Sequence, residues 1–359
     1  MDKPVQYAIQ DSQLYRLSSR KRMFTLIKMT AEESAIIRKK RVYNLFKTED
    51  KYKSDLPALK HKPRDIQSPE AVLKRVQTRI ADLLVRIELP DYLHSARKGC
   101  SYKSNARAHD FGHSVARVDI KKFYERAHVS YIQRYFLDEL KCSSDIAHRL
   151  TQLVSYKNKL PTGSPASPIM SFLAYRPMFE ELHALAGSMD LTMTVYVDDV
   201  VVSGPGLASR FIQPAQAIIA RYGLCAHKFS TTTAGRPIVV TGLQQTASGE
   251  SVPSSRFRKI RALETELRRT TDPAHKAVLL KGLIGQYREG AALIPNALSH
   301  ANRYQREFDA LPTEVRLKAS GRRRRGSKVK RGGRPGRMAK PEVPGAPLAS
   351  SQEPPSRLI

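Results

Sequence analysis

Two adjacent acids, Asp198 and Asp199, lie at the tip of an apolar segment that runs from Thr194 to Val202. The β-branched and aromatic residues on both sides predict a buried β-hairpin whose tip is Val197 to Asp199. Paired carboxylates in apolar surroundings are costly unless something positive lies beside them, and a divalent metal with oxygen ligands is the simplest compensator. An ordinary turn is the alternative interpretation, because aspartate is a common turn residue.

A third acid, Asp119, favours the metal interpretation. It ends a short apolar strand in which Val118 and Ile120 bracket it at strand spacing, and aromatic residues follow. If this strand lies beside the hairpin, three carboxylates meet, and they repel one another unless metal neutralises them. Two Mg²⁺ ions about 3.5–4 Å apart would suit an in-line phosphoryl displacement. The acids therefore predict phosphoryl-transfer chemistry.

Charge and composition narrow the class of partner. The chain has 359 residues and a formal net charge of +29, most of which lies ahead of the basic C-terminal tail. A body this basic favours a polyanion such as nucleic acid, and we find no basic amphipathic helix of the kind that lies on membranes. The three cysteines have no paired spacing, so neither a disulfide framework nor a zinc site is predicted. Without an apolar N-terminal segment or a long apolar span, the expected setting is the reducing cytoplasm.

Helical periodicity predicts the elements around the acids. Helices are expected over residues 15–47, 71–87, 128–140, 169–186, 208–222, 255–269 and 274–288. Ser68 and Ser167 are the expected N-caps of two of them, while Pro177 and Pro214 should kink or delay the helices that contain them. The last two helices form a separable basic lobe, and the composition beyond about Leu311 is typical of disorder.

Three basic or rigid segments could approach a nucleotide. Residues 62–74 and the loop 92–109 carry cations that could meet phosphates, and the proline-rich loop 160–168 opens a helix whose N-terminus could support a phosphate or base pair. Each is equally compatible with an ordinary linker, loop or helix start. The candidate nucleotide contacts are Arg64, Lys74, Arg97, Lys98, Thr162 and Gly163.

The order of these elements resembles the reverse transcriptases, and among them the bacterial retron type. Tyr196 to Asp199 matches the Tyr-x-Asp-Asp signature, with Val197 where many bacterial members have Ala. Residues 160–168 resemble the Leu-Pro-Gln-Gly-x-Pro-x-Ser-Pro loop, with Thr162 in place of Gln, and residues 62–84 resemble the first fingers block. Residues 105–109 and 240–242 fit the Asn-Ala-x-x-His and Val-Thr-Gly motifs of retron enzymes. The resemblance covers about residues 60–310.

This resemblance implies an α+β right-hand polymerase with fingers, a βαββαβ-like palm and a helical thumb. The implied division is an N-terminal basic helical extension (1–60), fingers and palm (61–253), a helical thumb (254–312) and a disordered basic, Pro-rich tail (313–359). It also implies RNA-directed DNA synthesis with two Mg²⁺ ions, for which Mn²⁺ could substitute. Asp119, Asp198, Asp199 and the backbone carbonyl of Ile120 are the implied ligands, and Tyr124 takes the aromatic position that excludes a ribonucleotide 2′-hydroxyl.

For a retron enzyme the resemblance implies further partners. It would copy part of its own structured non-coding RNA into branched multicopy single-stranded DNA (msDNA) from dNTPs, primed by an RNA 2′-hydroxyl, commonly in anti-phage defence with a separate effector protein. The implied RNA contacts are Asn105, His109, Thr241, Gly242, Arg256, Arg258 and Lys259. Two alternatives stay open: a non-retron bacterial reverse transcriptase, whether group II intron-like or another defence enzyme, and a basic RNA-binding protein with an inactive palm. The presence of all three acids argues against the last.

Overall fold

Mixed helices and strands build the chain, in agreement with the predicted α+β class. The structure is a computed structural model that describes residues 6–39, 42–206 and 208–319. The strands are β1 (Tyr43–Lys47), β2 (Asp65–Pro69), β3 (Ser114–Ile120), β4 (Thr192–Tyr196), β5 (Asp199–Gly204), β6 (Ala226–Thr232), β7 (Ile238–Val240), β8 (Leu243–Thr246) and β9 (Gly249–Ser251). The helices are α1 (Arg20–Leu26), α2 (Ala31–Lys39), α3 (Ala71–Leu84), α4 (Tyr102–Arg107), α5 (Phe123–Arg126), α6 (Val129–Arg134), α7 (Ser144–Val154), α8 (Ser167–Ala174), α9 (Arg176–Ser188), α10 (Ile212–Arg221), α11 (Ser254–Arg269), α12 (Pro273–Glu289), α13 (Ala297–Asp309) and α14 (Thr313–Ala319).

A four-stranded antiparallel sheet in the order β4-β5-β3-β6 lies at the centre. The predicted hairpin is confirmed, since β4 and β5 pair directly with Tyr196 opposite Asp199. Strand β5 is apolar at every position from Val200 to Val202, and all three side chains are buried because the sheet is covered on both faces. The main core includes residues of α3 and α6 to α10 together with this sheet. The sheet edge that carries the acids is thus held by a large apolar core.

A second core lies among helices α11 to α14, which we call the helical lobe. Its helices are joined by short connections, and Asp272 caps α12 by accepting hydrogen bonds from two backbone N–H groups of its first turn. Two residues from far upstream, Tyr52 and Leu59, belong to the same core. The lobe therefore includes chain from the connection between β1 and β2 as well as its own helices. Within the described residues, no helix is long and apolar enough to cross a membrane.

Several predicted boundaries are wrong, each for a local reason. The helix expected over 15–47 is two helices followed by β1. Ser68 is not an N-cap: it lies in β2, and the N–H of Glu70 donates to the carbonyl of Val42, which keeps the chain extended until Glu70 takes the N-cap position. Ser167 is likewise inside α8, whose N-cap is Ala166.

Proline explains a further difference. The helix expected over 169–186 ends at Ala174 and restarts at Arg176, because Pro177 has no N–H to donate and is tolerated only in a first turn. Pro214 acts similarly, since a 3₁₀ turn precedes α10. The stretch 128–140 changes at Tyr135 from α6 into a π-helical turn. Residues Thr313–Ala319, expected to belong to the disordered tail, form α14, and the rest of that predicted tail, residues 320–359, lies outside the described residues.

Candidate active site

The three acids meet at one end of the central sheet. The register of β3 and β5 places Asp119 opposite Asp199, as the sequence predicted for neighbouring strands. The N–H of Ile120 donates to the carbonyl of Asp198 at 2.8 Å, which fixes the hairpin tip against the end of β3. Backbone pairing alone therefore brings the acids of two distant motifs together.

The hairpin tip is held in an unfavourable backbone conformation. Val197 has a φ of 59°, in the left-handed region that a β-branched residue rarely adopts. Its N–H donates to the hydroxyl of Ser95 at 2.9 Å, so the loop before α4 supports the tip. Such local strain is concentrated at functional sites, where the surrounding structure enforces it.

Burial and mutual repulsion act on the carboxylates of the hairpin. Burial, with the nearby charges of Asp119 and Asp199, raises the pKa of Asp198 to about 6, while Arg64 acts in the opposite direction. Burial also raises the pKa of Asp199, against the opposing effect of Arg117. Negative charge at this edge of the sheet is therefore costly, and a cation at the site would relieve that cost.

Side-chain orientation limits what the acids can hold. The carboxylate of Asp119 pairs with His227 Nδ1 at 2.9 Å and with Lys228 Nζ at 3.8 Å, and Asp199 pairs with Arg117 at 3.8 Å. Within the described residues, no three His, Cys, Asp or Glu side chains are gathered in a way that would hold a metal ion. In this arrangement the carboxylates of Asp119 and Asp199 face basic side chains of β3 and β6, and the binding of metal by the three acids stays a prediction. The donor set itself fits: three carboxylate groups at adjoining strand ends are the oxygen ligands that Mg²⁺ prefers.

Tyr124 lies in α5, immediately after β3, and is close to the acids. Its pKa is raised by burial and by the negative charge of Asp198. The preceding residue, Phe123, points into the core, where it is 2% exposed and packs against Tyr175. The half-buried Tyr124, rather than Phe123, is therefore the aromatic residue that shares a site with Asp198.

The loop that contains Thr162 and Gly163 is joined to β2. The N–H of Gly163 donates to the carbonyl of Gln67 at 3.2 Å, and the Thr162 hydroxyl donates to the carbonyl of Asp65 at 3.0 Å. A Cβ atom at Gly163 would lie only 2.7 Å from that Gln67 oxygen, so this glycine permits the close approach of two backbones. The side chain of Gln67 also accepts a hydrogen bond from the N–H of Thr162 at 3.1 Å. Gln67 is not among the residues predicted from the sequence, where its signal is its position within the segment that resembles the first fingers block.

The other candidate nucleotide contacts divide into two groups. Arg64 is near enough to affect the pKa of Asp198, so it belongs with the acids. Arg97 instead binds its own loop, donating to the carbonyl of Pro90 at 3.1 Å and pairing with Asp91 at 2.7 Å. Lys74 and Lys98 are exposed, and no contact places either beside the acids. Of the four cations, Arg64 is the one that the fold brings to this edge.

The residues of the two short retron-like motifs are mostly buried. His109 is 1% exposed, and its ring nitrogens lie 2.7 Å from the hydroxyls of Ser203 and Thr194. Asn105 is fully buried and donates to the hydroxyl of Thr241 at 3.4 Å. In this structure Asn105 and His109 therefore fasten the α4 region to the sheets, and the expectation that they contact RNA directly does not agree with their burial.

Four of the five remaining candidate RNA contacts line one basic cavity. Gly242, Arg256, Arg258 and Lys259 line a cavity of about 390 Å³ between the β7–β8 turn and α11. Gly242 has a φ of 90° in the tight turn after β7, and Thr241 before it donates to the carbonyl of Tyr102 at 2.8 Å. The fold thus brings one motif residue and three lobe cations to a single concave surface that could receive an anion.

Comparisons with known proteins identify the family model and the relatives that this chain matches. A family model described as reverse transcriptase (RNA-dependent DNA polymerase) matches residues 47–234. The retron Se72 reverse transcriptase of Salmonella heidelberg is 29% identical over 177 residues, which cover 48% of this chain and 47% of that protein. The retron Ec86 reverse transcriptase of Escherichia coli is 25% identical over 205 residues, covering 55% of this chain and 63% of that protein. Both matches span less than two thirds of the relative's own length.

Among solved structures, a telomerase from Candida albicans in complex with a TWJ fragment of telomeric RNA aligns with a TM-score of 0.41. That alignment has 11% sequence identity and covers 81% of this chain and 67% of the telomerase.

Proposed function

Because the chain belongs to the reverse transcriptase family, we propose that it is an RNA-directed DNA polymerase that extends a primer with dNTPs on an RNA template. The observation that carries this activity is the register that sets Asp119 opposite Asp199, with Asp198 beside them in the Tyr-x-Asp-Asp turn. A nucleotidyl transfer needs carboxylates in this arrangement to position cations around the reacting phosphate.

The acids have a defined role in this activity. Asp119, Asp198 and Asp199, with the carbonyl of Ile120, would hold two Mg²⁺ ions, which when bound stabilise the charge that develops on the reacting phosphate oxygens. Asp119 would bind the ion through a carboxylate that pairs with His227 and Lys228 in this structure. Mn²⁺ has the same preference for oxygen ligands and would serve as a substitute.

The surrounding residues orient the nucleotide. Tyr124, next to Asp198, would lie under the incoming sugar and exclude a 2′-hydroxyl by steric contact. Arg64 supplies positive charge from the segment before β2, where it would meet the triphosphate. The loop at Thr162 and Gly163 is hydrogen-bonded to β2 and leads into α8. It would therefore hold β2 beside the start of α8 at the nucleotide site.

We further propose that the chain is a retron-type enzyme of the cytoplasm. On this proposal the β1–β2 region and the central sheet are fingers and palm, the helical lobe is the thumb, and the tail adds non-specific attraction to RNA. Its partner would be a cognate structured non-coding RNA, which it would prime from a 2′-hydroxyl to make msDNA, in anti-phage defence with a separate effector protein. The similarity to two retron reverse transcriptases and the basic cavity at Gly242 support this assignment.

Primer extension on an RNA template tests the polymerase activity. The wild-type chain should incorporate dNTPs, and Asp198→Asn should abolish incorporation while RNA binding is retained, because the carboxylate is lost and the fold is not. Asp190→Asn is a matched control, since Asp190 is an exposed acid just before β4 with a φ of 55°, which Asn also tolerates. Wild-type rates in Asp198→Asn would contradict the assignment.

A DNA-extraction experiment tests the retron proposal separately. The coding sequence is expressed with its flanking DNA, and nucleic acid is extracted and treated with ribonuclease. A short single-stranded DNA joined to RNA is expected, and it should be absent from cells expressing Asp198→Asn. Polymerase activity without such a product would favour the non-retron alternative.

A further inference from the structure

The connection between β1 and β2, residues 48–64, reaches away from the fingers and packs on the helical lobe. We call it the docking loop. The ring of Tyr52 covers α12 so closely that a Cβ atom at Gly282 would lie 2.9 Å from Tyr52 Cε1. His275 Nε2 lies 2.7 Å from the carbonyl of Tyr52, and the Ser54 hydroxyl donates to Glu266 at 3.0 Å. The loop therefore joins the fingers hairpin to the lobe through both apolar packing and hydrogen bonds.

Two lysines flank the Tyr52 ring at this junction, Lys51 from the loop and Lys259 from the lobe, and a third, Lys281 of α12, is close enough for its charge to act on Lys51. Lys51 Nζ is 5.3 Å and Lys259 Nζ is 5.7 Å from the centre of the Tyr52 ring. The pKa of Lys51 is lowered by burial and then by the positive charges of Lys281 and Lys259, so both lobe lysines repel the Lys51 ammonium group. We call the three lysines the lysine cluster.

The described residues supply no counter-charge to the cluster. None of its lysines has a carboxylate within the 4.0 Å of an ion pair anywhere in the described chain. The neighbouring acids are engaged by the loop itself: Asp50 accepts a hydrogen bond from the N–H of Tyr52, and Glu266 accepts one from Ser54. A cation–π contact offsets only about 0.5–1 kcal/mol for each lysine. Lys281 donates to the carbonyl of Ala319 at 3.1 Å, and an external anion would relieve the repulsion at Lys51 and Lys259.

The surroundings of the cluster indicate which anion. Lys259 also lines the basic cavity with Arg256 and Arg258, so the positive charge continues along the surface. A continuous row of cations matches the repeated phosphates of a polynucleotide better than a single small anion. Because Lys51 belongs to the loop and Lys259 and Lys281 belong to the lobe, one bound phosphate would hold these two parts together.

We propose that the lysine cluster binds a phosphodiester of a nucleic-acid backbone, and that this binding fastens the docking loop to the helical lobe. The site presupposes the proposed polymerase function only in that the chain must bind nucleic acid. Residues 48–64, which already pack on the lobe, then act as a latch that a bound template–primer holds in place. The consequence is slower dissociation of nucleic acid from the enzyme.

Fluorescence anisotropy with a labelled RNA–DNA hybrid of random sequence tests the phosphate contact. At about 0.1 M salt, losing one lysine–phosphate contact should weaken binding roughly eightfold and lower the slope of log affinity against log salt by about 1. Lys51→Gln and Lys259→Gln should each show both changes. Lys53→Gln is the matched control, because Lys53 is an exposed lysine of the same loop that makes no contact with the Tyr52 ring.

Hydrogen exchange of residues 48–60 tests the latch. The hybrid should protect these amides in the wild type and in Lys53→Gln, and should protect them less in Lys51→Gln. Equal affinity and equal salt slopes for Lys51→Gln and Lys53→Gln would overturn the site. Protection by inorganic phosphate alone, as full as that by the hybrid, would overturn the assignment to a polynucleotide backbone. Primer extension by Lys51→Gln at saturating hybrid separates this result from the polymerase function, which fails only if the wild type also does not extend a primer.

Discussion

The histidine at position 109 should make the stability of the palm depend on pH. His109 is buried between Ser203 of β5 and Thr194 of β4, and burial lowers its pKa from 6.5 to about 4. Because the unfolded chain takes up the proton first, the stabilisation from the neutral ring is complete above about pH 6.5 and is lost as the pH falls towards 4. Substitution by glutamine, which does not titrate, should remove this dependence.

The magnitude follows from the difference between the two pKa values. A pKa difference is worth about 1.4 kcal/mol per unit, so the full effect is about 3 kcal/mol and the effect at pH 5 is about 2 kcal/mol. Urea unfolding followed by far-ultraviolet circular dichroism at about pH 8 and about pH 5 measures the change. Between these conditions the wild type should lose about 2 kcal/mol more than His109→Gln, since all other titrating groups cancel in the comparison.

A second substitution controls for an unspecific effect of removing a histidine. His113 lies four residues further along the same segment and is only partly buried, so His113→Gln serves as the control for the loss of a histidine as such. If wild type and His109→Gln lose the same stability, the ring of His109 is not held neutral by burial. The conclusion that a neutral His109 fastens the α4 region to the central sheet would then be wrong.

Three further outcomes are expected. Tyr124→Ala should raise the ratio of ribonucleotide to deoxyribonucleotide incorporation in primer extension, because the ring beside Asp198 is removed; an unchanged ratio would place the sugar elsewhere. Gly163→Ala should lower the free energy of unfolding by about 1–3 kcal/mol, since its Cβ would meet the Gln67 carbonyl at 2.7 Å, whereas Gly187→Ala, with open space around it, should not. Deleting residues 320–359 should weaken binding of cognate and scrambled RNA by a similar factor, while charge reversal at Arg256 and Arg258 should impair the choice of cognate RNA. A competition assay at fixed salt distinguishes the two, and loss of selectivity in the deletion alone would reverse the assignment.

The central sheet was predictable because its signals are local. An apolar run on both sides of Asp198 and Asp199 is typical of a buried hairpin, and a strand ending at Asp119 has the same composition. The pairing of these strands was predicted because each acid lies at the end of an apolar strand. On neighbouring strands, a divalent metal could neutralise all three carboxylates. The resemblance to retron reverse transcriptases, confirmed by the relatives, came from the same short motifs in their order.

The environment of the motif side chains was not predictable from the sequence. The resemblance implied that Asn105 and His109 contact RNA, whereas in the structure both are buried against residues 136 and 85 positions away in the chain. The periodicity of apolar residues predicts which face of a helix or strand is buried. It does not predict which distant residue will form a hydrogen bond with a polar side chain. The packing of the docking loop on the lobe was not predicted for the same reason. It depends on two isolated residues, Tyr52 and Leu59, which form no periodic pattern in the sequence.

The orientation of the acids shows the limit of motif reasoning most directly. The motif identifies which carboxylates end adjoining strands, and backbone register then fixes their spacing. The side-chain partners are set by other residues, since Asp119 pairs with His227 and Lys228 on β6 while Asp199 pairs with Arg117. These basic neighbours reduce the repulsion that would otherwise destabilise an edge with three partly buried acids. A bound cation must therefore compete with the protein's own ion pairs, and the balance between the two depends on residues outside every motif that identified the site.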